Sequence, residues 1–374
     1  MYRDRLTRMF LGASNKWRDP NPFTGFDERD NILMRQLWVE EKSGRRLLPI
    51  INMTLNLVGG RSLGSRAQLL QSFTVSPLHC GSKELGYRKT NGPEGARYAA
   101  GISLGRAMAI SGAAPSPNMG YYTSPLVRLI FTLLNVRLGE WLGNPGPAGD
   151  KTFNLLYPNF SAGPIIADTV GLASDRSPYV NVSDGRHFES LGLYEMVLRR
   201  CHFIVVCDAG RDPNHSFEGL GGAVRKIRVD LGIPIEFGLM SIYPRSEIET
   251  LKEPGHNCAI GRIRYSMVDG AEAPDGVIVY IKPACYGDEP FDIYSYFETN
   301  KTFPHESTTE QFFSESQFES YRMLGAYTME KLCTDCGGDF RCFIRNILEY
   351  DLKIKPPDWL AGLLERSANT SSTS

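Results

Sequence analysis

An aspartate in the middle of the chain lies where a predicted strand gives way to a predicted helix. The stretch from Tyr179 to Val182 is rich in aromatic and β-branched residues, and Ser183-Asp184-Gly185 follows it directly. An acid at this position lies at the rim of an α/β sheet, where ligands bind. Gly185 permits a tight turn that leaves the carboxylate free to accept a proton from a hydroxyl. Because Asp and Ser also cap helix N-termini, a structural cap and a catalytic base are both compatible with Asp184.

One serine matches the pattern of a nucleophile. Gly101-Ile102-Ser103-Leu104-Gly105 is a literal G-x-S-x-G. An elbow of this kind needs a buried apolar strand immediately before it, whereas the residues that precede this one are GPEGARYAA. Ser103 therefore fits a helix N-cap better and is kept as a candidate nucleophile only.

Two further patterns are weaker. Cys333 and Cys336 have C-x-x-C spacing with Cys342 nearby, but no second pair of cysteines or histidines completes a tetrahedral zinc site. The GLGG stretch that begins at Gly219 matches a phosphate-binding loop only loosely, because no strand leads directly into it. We predict no metal and no cofactor.

The elements around these motifs alternate between strands and helices. Apolar and polar residues alternate in the stretch 47–58, and a second strand is predicted at 72–78. A helix of small residues follows Gly101 and ends before Pro115. The stretch 125–143 predicts an amphipathic helix that either packs on the core or contacts a membrane surface.

The second half of the chain predicts a sheet covered on both faces. The order from Tyr179 to Asp208 is strand, turn, helix and strand, a βαβ-like unit whose second strand is a continuous apolar run. Strands near Gly261 and Gly276 extend this sheet, and a helical tail follows Thr309. The fold class is therefore α/β.

Composition excludes several classes of protein. With 374 residues, 42% of them hydrophobic, the chain can bury a large core. A net charge of -1 with dispersed Lys and Arg provides no field for nucleic acid. Eight irregularly spaced cysteines indicate reduced thiols, and the N-terminus has no apolar signal region. We therefore expect a cytoplasmic protein that is not secreted and does not bind nucleic acid.

Three separated blocks resemble one known family. The first comprises DGRHFE at 184–189, LGLYE at 191–195 and DAG at 208–210, and it resembles the Asp-Gly block of patatin-like phospholipases and the related cytosolic phospholipase A group. AMAISGAA at 107–114 with SPNMG at 116–120 resembles a block of large bacterial relatives, and 311–325 resembles their C-terminal helix. The resemblance covers nearly the whole chain and is to the C-terminal portion of a larger bacterial-type member.

The resemblance implies a three-layer patatin-like sheet with flanking helices that lacks its N-terminal strands. The implied division is an irregular segment at 1–46, an acyl hydrolase domain at 47–365 and a disordered tail at 366–374. Relatives cleave fatty acyl esters of phospholipids or lysophospholipids with a serine–aspartate dyad, in which Asp184 inherits the role of base. Their elbow lies well before the AMAISG block, which Ser103 abuts, so we expect the nucleophile upstream of Met1.

The alternative is a catalytically inactive remnant of the same fold that binds lipid or acts as a scaffold. The glycine-rich oxyanion segment of the family is approached only by LVGGR at 57–61. After Asp-Gly the family has Gly or Ala, whereas this chain has Arg186. We expect Gly185 and Arg186 to contact the substrate. The cation either lowers the basicity of Asp184 or points outward to bind lipid phosphate, with peripheral membrane contact.

Overall fold

The structure combines strands and helices in each of two compact units. It is a computed structural model that describes residues 2–38, 47–57, 70–93, 95–112, 139–158, 176–238, 240–247, 250, 255–307 and 313–365. The units comprise Met1–Ser190 and Leu191–Ser374. The α/β class is confirmed, while the domain boundaries expected at 46 and 365 stay predictions and the tail at 366–374 lies outside the described residues.

The described residues of the first unit form one antiparallel sheet and two short α-helices. The strands are β1 (Ile51–Asn56), β2 (Leu70–Val75), β3 (His79–Ser82), β4 (Gly86–Lys89), β5 (Glu140–Gly143) and β6 (Tyr179–Asp184), and the helices are α1 (Tyr2–Leu6) and α2 (Leu104–Ser111). The strand order is β4-β3-β2-β1-β6-β5, with every pair antiparallel. Single turns of 3-10 or π-helix lie at 7–11, 12–14, 28–30, 34–37, 98–100, 147–149 and 185–187.

The core of this unit lies on one face of the sheet. Met53 and Leu55 of β1 and Val180 and Val182 of β6 are buried there, as the period of two in a strand requires. Helix α2 contacts both strands and adds Ile110 to the same core. The alternation predicted at 47–58 therefore marks a strand with one apolar face.

The second unit has a four-stranded mixed sheet and seven described α-helices. Its strands are β7 (Phe203–Cys207), β8 (Ile235–Phe237), β9 (Cys258–Ile263) and β10 (Gly276–Ile281), in the order β7-β10-β9-β8. Its helices are α3 (Leu193–Leu198), α4 (Glu218–Leu231), α5 (Ser266–Asp269), α6 (Phe291–Thr299), α7 (Glu315–Leu332), α8 (Phe340–Asn346) and α9 (Asp358–Glu365), with shorter turns at 245–247 and 347–351. Strands β7 and β10 are parallel, and the other pairs are antiparallel.

Helices cover both faces of this second sheet. All six residues of β10 are buried. Ile278 and Tyr280 share a core with residues of α3 and α4, whereas Val277 and Val279 share another with residues of α7, α8 and α9. The second unit is therefore a three-layer structure, which explains why β10 is apolar throughout instead of alternating.

Two predictions are wrong. β6 and β7, predicted to form one βαβ unit, belong to different sheets, because β6 pairs antiparallel with β1 and β5 while β7 pairs with β10. The helix predicted at 125–143 does not extend to its end, since residues 140–143 form β5 against β6; residues 125–138 lie outside the described ranges. The GLGG stretch, which matched a phosphate-binding loop only loosely, is part of helix α4. None of the helices in the described ranges is both long and apolar enough to cross a bilayer.

Removing a side chain from the central strand tests the three-layer packing. We expect Ile278→Ala to lower the free energy of unfolding by about 3 kcal/mol, because Ile278 is fully buried and its truncation leaves a cavity. The exposed Met267→Ala is the control and should change stability by less than about 0.5 kcal/mol. Urea denaturation measures both, and equal stability of the two variants would contradict the packing described.

Candidate active site

Asp184 is the last residue of β6 and lies on the apolar face of its sheet. It occupies the same side of the strand as Val180 and Val182 and pairs with Met53 of β1. Only 3% of its surface is exposed. A carboxylate thus lies at the end of a buried strand, as predicted from the sequence.

One carboxylate oxygen of Asp184 caps the turn that follows. Oδ1 accepts a hydrogen bond from the Arg186 backbone N–H at 2.8 Å, at the start of the 3-10 turn Gly185–His187. The structural cap considered for Asp184 is therefore confirmed. No described residue donates a hydrogen bond to Oδ2, which lies 3.6 Å from Arg186 Nε. Oδ2 therefore retains the capacity to accept a proton.

Gly185 allows the turn to approach β1 closely. A Cβ at this position would lie 2.9 Å from the carbonyl oxygen of Asn52, closer than side-chain atoms normally come to a backbone oxygen. The Ser111 hydroxyl lies on the same side and donates to that carbonyl at 2.6 Å. Glycine is therefore required by space at this turn.

Thr54 connects β1 to the same turn through its hydroxyl. Oγ1 donates to the Asp184 carbonyl at 2.7 Å and accepts from the Phe188 N–H at 2.9 Å. Thr54 is fully buried, so these bonds satisfy its hydroxyl without water. They fix the backbone on both sides of the Asp184 carboxylate.

Arg186 extends away from this packed turn. Its side chain is 52% exposed, and no described residue accepts a hydrogen bond from its terminal Nη atoms. The guanidinium therefore contacts Asp184 on one side and presents donors to solvent on the other. This position is compatible with both expectations for Arg186, an effect on the basicity of Asp184 and binding of a lipid phosphate.

The opposite face of the sheet carries a second polar group. The Ser183 hydroxyl lies 3.0 Å from His187 Nδ1 and accepts from Asn56 Nδ2 at 2.9 Å. Burial lowers the pKa of His187, which favours a neutral ring whose Nδ1 accepts the Ser183 proton. The Ser183 hydroxyl is buried and engaged by both Asn56 and His187, so this serine–histidine pair stabilises the sheet.

Ser103 is a helix cap, as predicted. Its hydroxyl accepts from the Arg106 N–H at 3.3 Å, and its backbone is extended, with φ of -83° and ψ of 154°. The 3-10 turn Tyr98–Ala100 lies upstream of it, where an elbow would have a strand. Ser103 begins α2 and Ser111 ends it, which places them about 12 Å apart along the helix. Since Ser111 is the end that lies beside Gly185, the structure does not bring Ser103 to Asp184.

Local structure explains why both positions 101 and 105 of the G-x-S-x-G match are glycine. Gly101 has a φ of 87°, a left-handed conformation that glycine adopts without strain. A Cβ on Gly105 would overlap the side chains of Thr7 and Asn31. Backbone conformation and close packing therefore account for this pattern.

A buried ion pair lies at the ends of the parallel strands in the second unit. Asp208 follows β7 and Lys282 follows β10, and Lys282 is only 1% exposed. Lys282 Nζ lies 3.2 Å from Asp208 Oδ2 and 3.9 Å from Asp212 Oδ2, and it donates to the Gly210 carbonyl. The Tyr280 hydroxyl also donates to Asp208 Oδ2, at 2.6 Å. These contacts compensate the charges that burial would otherwise penalise.

Two buried histidines adjoin this ion pair. The rings of His215 and His305 are 4.9 Å apart, and the Asp212 N–H donates to His305 Nδ1 at 3.4 Å. Burial, reinforced by His215 and Lys282 and opposed by Asp212, lowers the pKa of His305 to about 4. Burial also lowers the pKa of His215. Both rings are therefore neutral near pH 7.

Tyr280, Lys282 and His305 match none of the sequence motifs described above. The signal that could have found Lys282 is a charged residue directly after an apolar strand, the same signal that marked Asp184. The carboxyl ends of parallel strands meet at one edge of a sheet, which brings Asp208 and Lys282 together. Recognising this requires knowing that β7 and β10 are neighbours.

No protein-family model and no curated protein matches the chain. Among solved structures, the chain is similar to human GIVD cytosolic phospholipase A2, with a TM-score of 0.46 and 13% sequence identity. The match covers 82% of this chain and 45% of that one, so the chain spans less than half the length of that phospholipase.

Removing the Thr54 hydroxyl tests how firmly the turn is held. We expect Thr54→Val to lower the free energy of unfolding by about 2 kcal/mol, because the Asp184 carbonyl loses the hydroxyl that donates to it and the Phe188 N–H keeps only its bond to the Gly185 carbonyl. Thr54→Ser keeps the hydroxyl and should retain most of the stability. Urea denaturation compares the two, and equal stability of both variants would show that these bonds do not hold the turn.

The histidine pair predicts a pH dependence of stability. An unfolded histidine titrates near pH 6.5, above the folded value of about 4 for His305, so the unfolded state binds more protons between these values. Stability should therefore fall as the pH is lowered through this window. His305→Asn keeps an acceptor near the Nδ1 position and should remove about 2 kcal/mol of this dependence.

Urea denaturation at a series of pH values measures the effect. The exposed His79→Asn is the control for loss of an imidazole. If His305→Asn and His79→Asn alter the pH dependence of stability equally, His305 is not the titrating group.

Proposed function

We propose that this chain carries the base of a serine–aspartate lipid acyl hydrolase, with Asp184 in that role. The observation that carries the proposal is the unequal use of the two Asp184 oxygens. Oδ1 is engaged in the turn, whereas Oδ2 receives no hydrogen bond from a described residue. The carboxylate is thereby fixed in orientation and still has an oxygen that can accept a proton. The three sequence blocks that resemble patatin-like phospholipases support this choice of chemistry.

The reaction proceeds in two displacements. The serine oxygen attacks the carbonyl carbon of a fatty acyl ester while its proton passes to Asp184 Oδ2. The carbon–oxygen bond to the glycerol backbone then breaks, and the leaving alcohol takes that proton. Water attacks the acyl-serine in the second step and gives a proton to the same carboxylate. The bond between the acyl carbon and the serine oxygen then breaks, the serine oxygen takes that proton, and the fatty acid is released. Each step returns Asp184 to its charged form.

Arg186 and Gly185 are the proposed substrate contacts. The half-exposed guanidinium presents free Nη donors beside Asp184, a geometry suited to a lipid phosphate. Arg186 Nε also lies 3.6 Å from Oδ2, so the same side chain contacts the proposed base. Of the oxyanion segment LVGGR, residues 58–61 lie outside the described ranges. The proposed substrates are phospholipids or lysophospholipids, and the proposed location is the cytoplasm.

Active-site labelling with a fluorophosphonate tests the dyad. The 374-residue chain is compared with the product of the longest reading frame that contains it. We expect the longer product to be labelled, and Asp184→Asn to slow labelling at least about 100-fold, because the base no longer accepts the serine proton. Asp335→Asn is the matched control, since Asp335 is exposed and has a φ of 53°, which asparagine also adopts readily.

The other outcomes separate the alternatives. Labelling of the 374-residue chain that disappears in Ser103→Ala would identify Ser103 as the nucleophile and overturn the expectation of an upstream serine. Absence of labelling in both products, with phospholipid binding retained, would replace the hydrolase with the inactive lipid-binding remnant. Equal labelling of Asp184→Asn and the unaltered protein would remove Asp184 from the mechanism.

A further inference from the structure

The N-terminal segment of the first unit exposes two aromatic side chains almost completely. Phe23 is 97% exposed and Trp17 is 86% exposed. Two large aromatic side chains on one small segment gain favourable free energy when an apolar surface removes them from water.

Asparagine side chains hold both aromatics at the tips of tight turns. Asn21 Oδ1 accepts from the Phe23 N–H at 2.9 Å, and Asn15 Oδ1 accepts from the Trp17 N–H at 3.0 Å. Gly25 closes the first turn with a φ of 64° and donates its N–H to the Asn21 carbonyl. These turns fix the direction of the backbone at each tip and reduce the entropy that binding would cost.

A buried carboxylate joins the two turns into one platform. Asp30 is buried and accepts from Asn15 Nδ2 at 2.9 Å and from Arg18 Nε at 2.8 Å. Arg18 Nη2 donates in turn to the Gly25 carbonyl at 2.9 Å. The Trp17 turn and the Phe23 turn are therefore held together by one charged network, and we call them the aromatic platform.

A cationic cavity adjoins the aromatic platform. It has a volume of about 590 Å³ and is lined by Arg3, Asp4, Arg5, Arg8, Thr24 and Phe26, so its lining carries two net positive charges. Arg8 donates to the Thr24 carbonyl at 3.2 Å, next to Phe23 in the chain. The neighbouring acids Asp27 and Asp30 are paired with Arg29 and Arg18, whereas Asp19 and Glu28 are exposed. Residues 2–38 together hold seven Lys or Arg and five Asp or Glu residues, so the segment keeps a net positive charge.

We propose that the aromatic platform and this cavity dock the protein on the surface of an anionic phospholipid bilayer. Aromatic rings favour the headgroup region of a bilayer, where an apolar ring and polar surroundings meet. Arginine binds phosphate oxygens through two parallel N–H donors, and the cavity concentrates three arginines where headgroup phosphates would lie. The proposal deepens the proposed function and rests on it for the choice of lipid as partner, since a hydrolase of membrane lipids must first reach a bilayer.

The geometry favours a bilayer over a protein partner. The two aromatics project from separate turns with Lys16, Arg18 and Arg8 nearby, and they do not form one continuous apolar patch. A stable protein interface has a continuous apolar core with a polar rim. Separate aromatic anchors flanked by basic residues suit a fluid surface that can flow around each ring.

Co-sedimentation of the 374-residue chain with vesicles tests the proposal. One set of vesicles contains phosphatidylcholine alone and the other adds phosphatidylserine. We expect binding to the anionic vesicles that weakens as salt is raised. The double variant Trp17→Ala/Phe23→Ala should weaken this binding at least about tenfold. The matched control is Val229→Ala/Phe291→Ala, which removes two equally exposed apolar side chains from the second unit and should bind normally.

Two further variants separate the contributions of the arginines and of Trp17 to vesicle binding. Arg3→Gln/Arg8→Gln should reduce the preference for anionic vesicles and the dependence on salt, while its circular dichroism stays unchanged. Trp17→Phe should still bind but should lose the blue shift of tryptophan fluorescence that accompanies burial of Trp17 in the headgroup region. A blue shift that persists in Trp17→Phe would show that another tryptophan is the reporter and would overturn the placement of this turn.

The result that would overturn docking is equal vesicle binding by the double aromatic variant and the unaltered chain, or no vesicle binding by either. Loss of self-association in the aromatic variant, with no vesicle binding by the unaltered chain, would assign the surface to a protein partner. Binding requires no turnover, so the test is separate from the hydrolase proposal. Vesicle binding without labelling would overturn the hydrolase alone, whereas labelling without vesicle binding would overturn the docking surface alone.

Discussion

The candidate site depends on one antiparallel pairing, that of β1 with β6. The Thr54 hydroxyl and the Asp184 carbonyl that it contacts are 130 residues apart in the sequence. This pairing brings the turn after β6 against the backbone of Asn52, which is the reason that position 185 must be glycine. The orientation of the Asp184 carboxylate follows from the same contacts, because its cap on Arg186 N–H requires the turn to be in place. In its proposed role as a base, Asp184 would need no reorganisation to accept a proton.

Each unit has a carboxylate at the end of a strand, and the two carboxylates differ in how many partners they have. Asp184 has one oxygen without a hydrogen-bond partner among the described residues, whereas Asp208 is enclosed by Tyr280, Lys282 and the Gly210 N–H. Compensation of the Asp208 charge is nearly complete, so this residue stabilises the edge of its sheet. The incomplete use of the Asp184 carboxylate is what distinguishes a group able to react from a group that supports the fold.

In the N-terminal segment, polar side chains hold the backbone while two large aromatic side chains are exposed to solvent. Asp30 is buried and accepts hydrogen bonds from Asn15 and Arg18, yet Trp17 and Phe23 remain in water. The turn residues therefore stabilise the backbone of a segment whose aromatic side chains add nothing to the core of the described residues. Such an arrangement is understandable if those side chains contribute free energy to binding instead of folding.

The sequence by itself determined the features that a few neighbouring residues decide. The cap formed by Ser103, the turn after Asp184 and the continuous apolar run of β10 follow from capping preference and hydrophobic period, which act over one or two turns of chain. The α/β class follows from the same local patterns.

Only the tertiary structure decided which strands pair. In the tertiary structure, β6 and β7 belong to separate sheets, and the end of the predicted helix at 125–143 forms β5 because it pairs with β6. Ser103 and Asp184 lie near opposite ends of α2. The cluster of Asp208, Lys282 and His305 likewise required the adjacency of β7 and β10. Strand pairing depends on contacts between residues far apart in the chain, so no local sequence pattern predicts which two strands will pair.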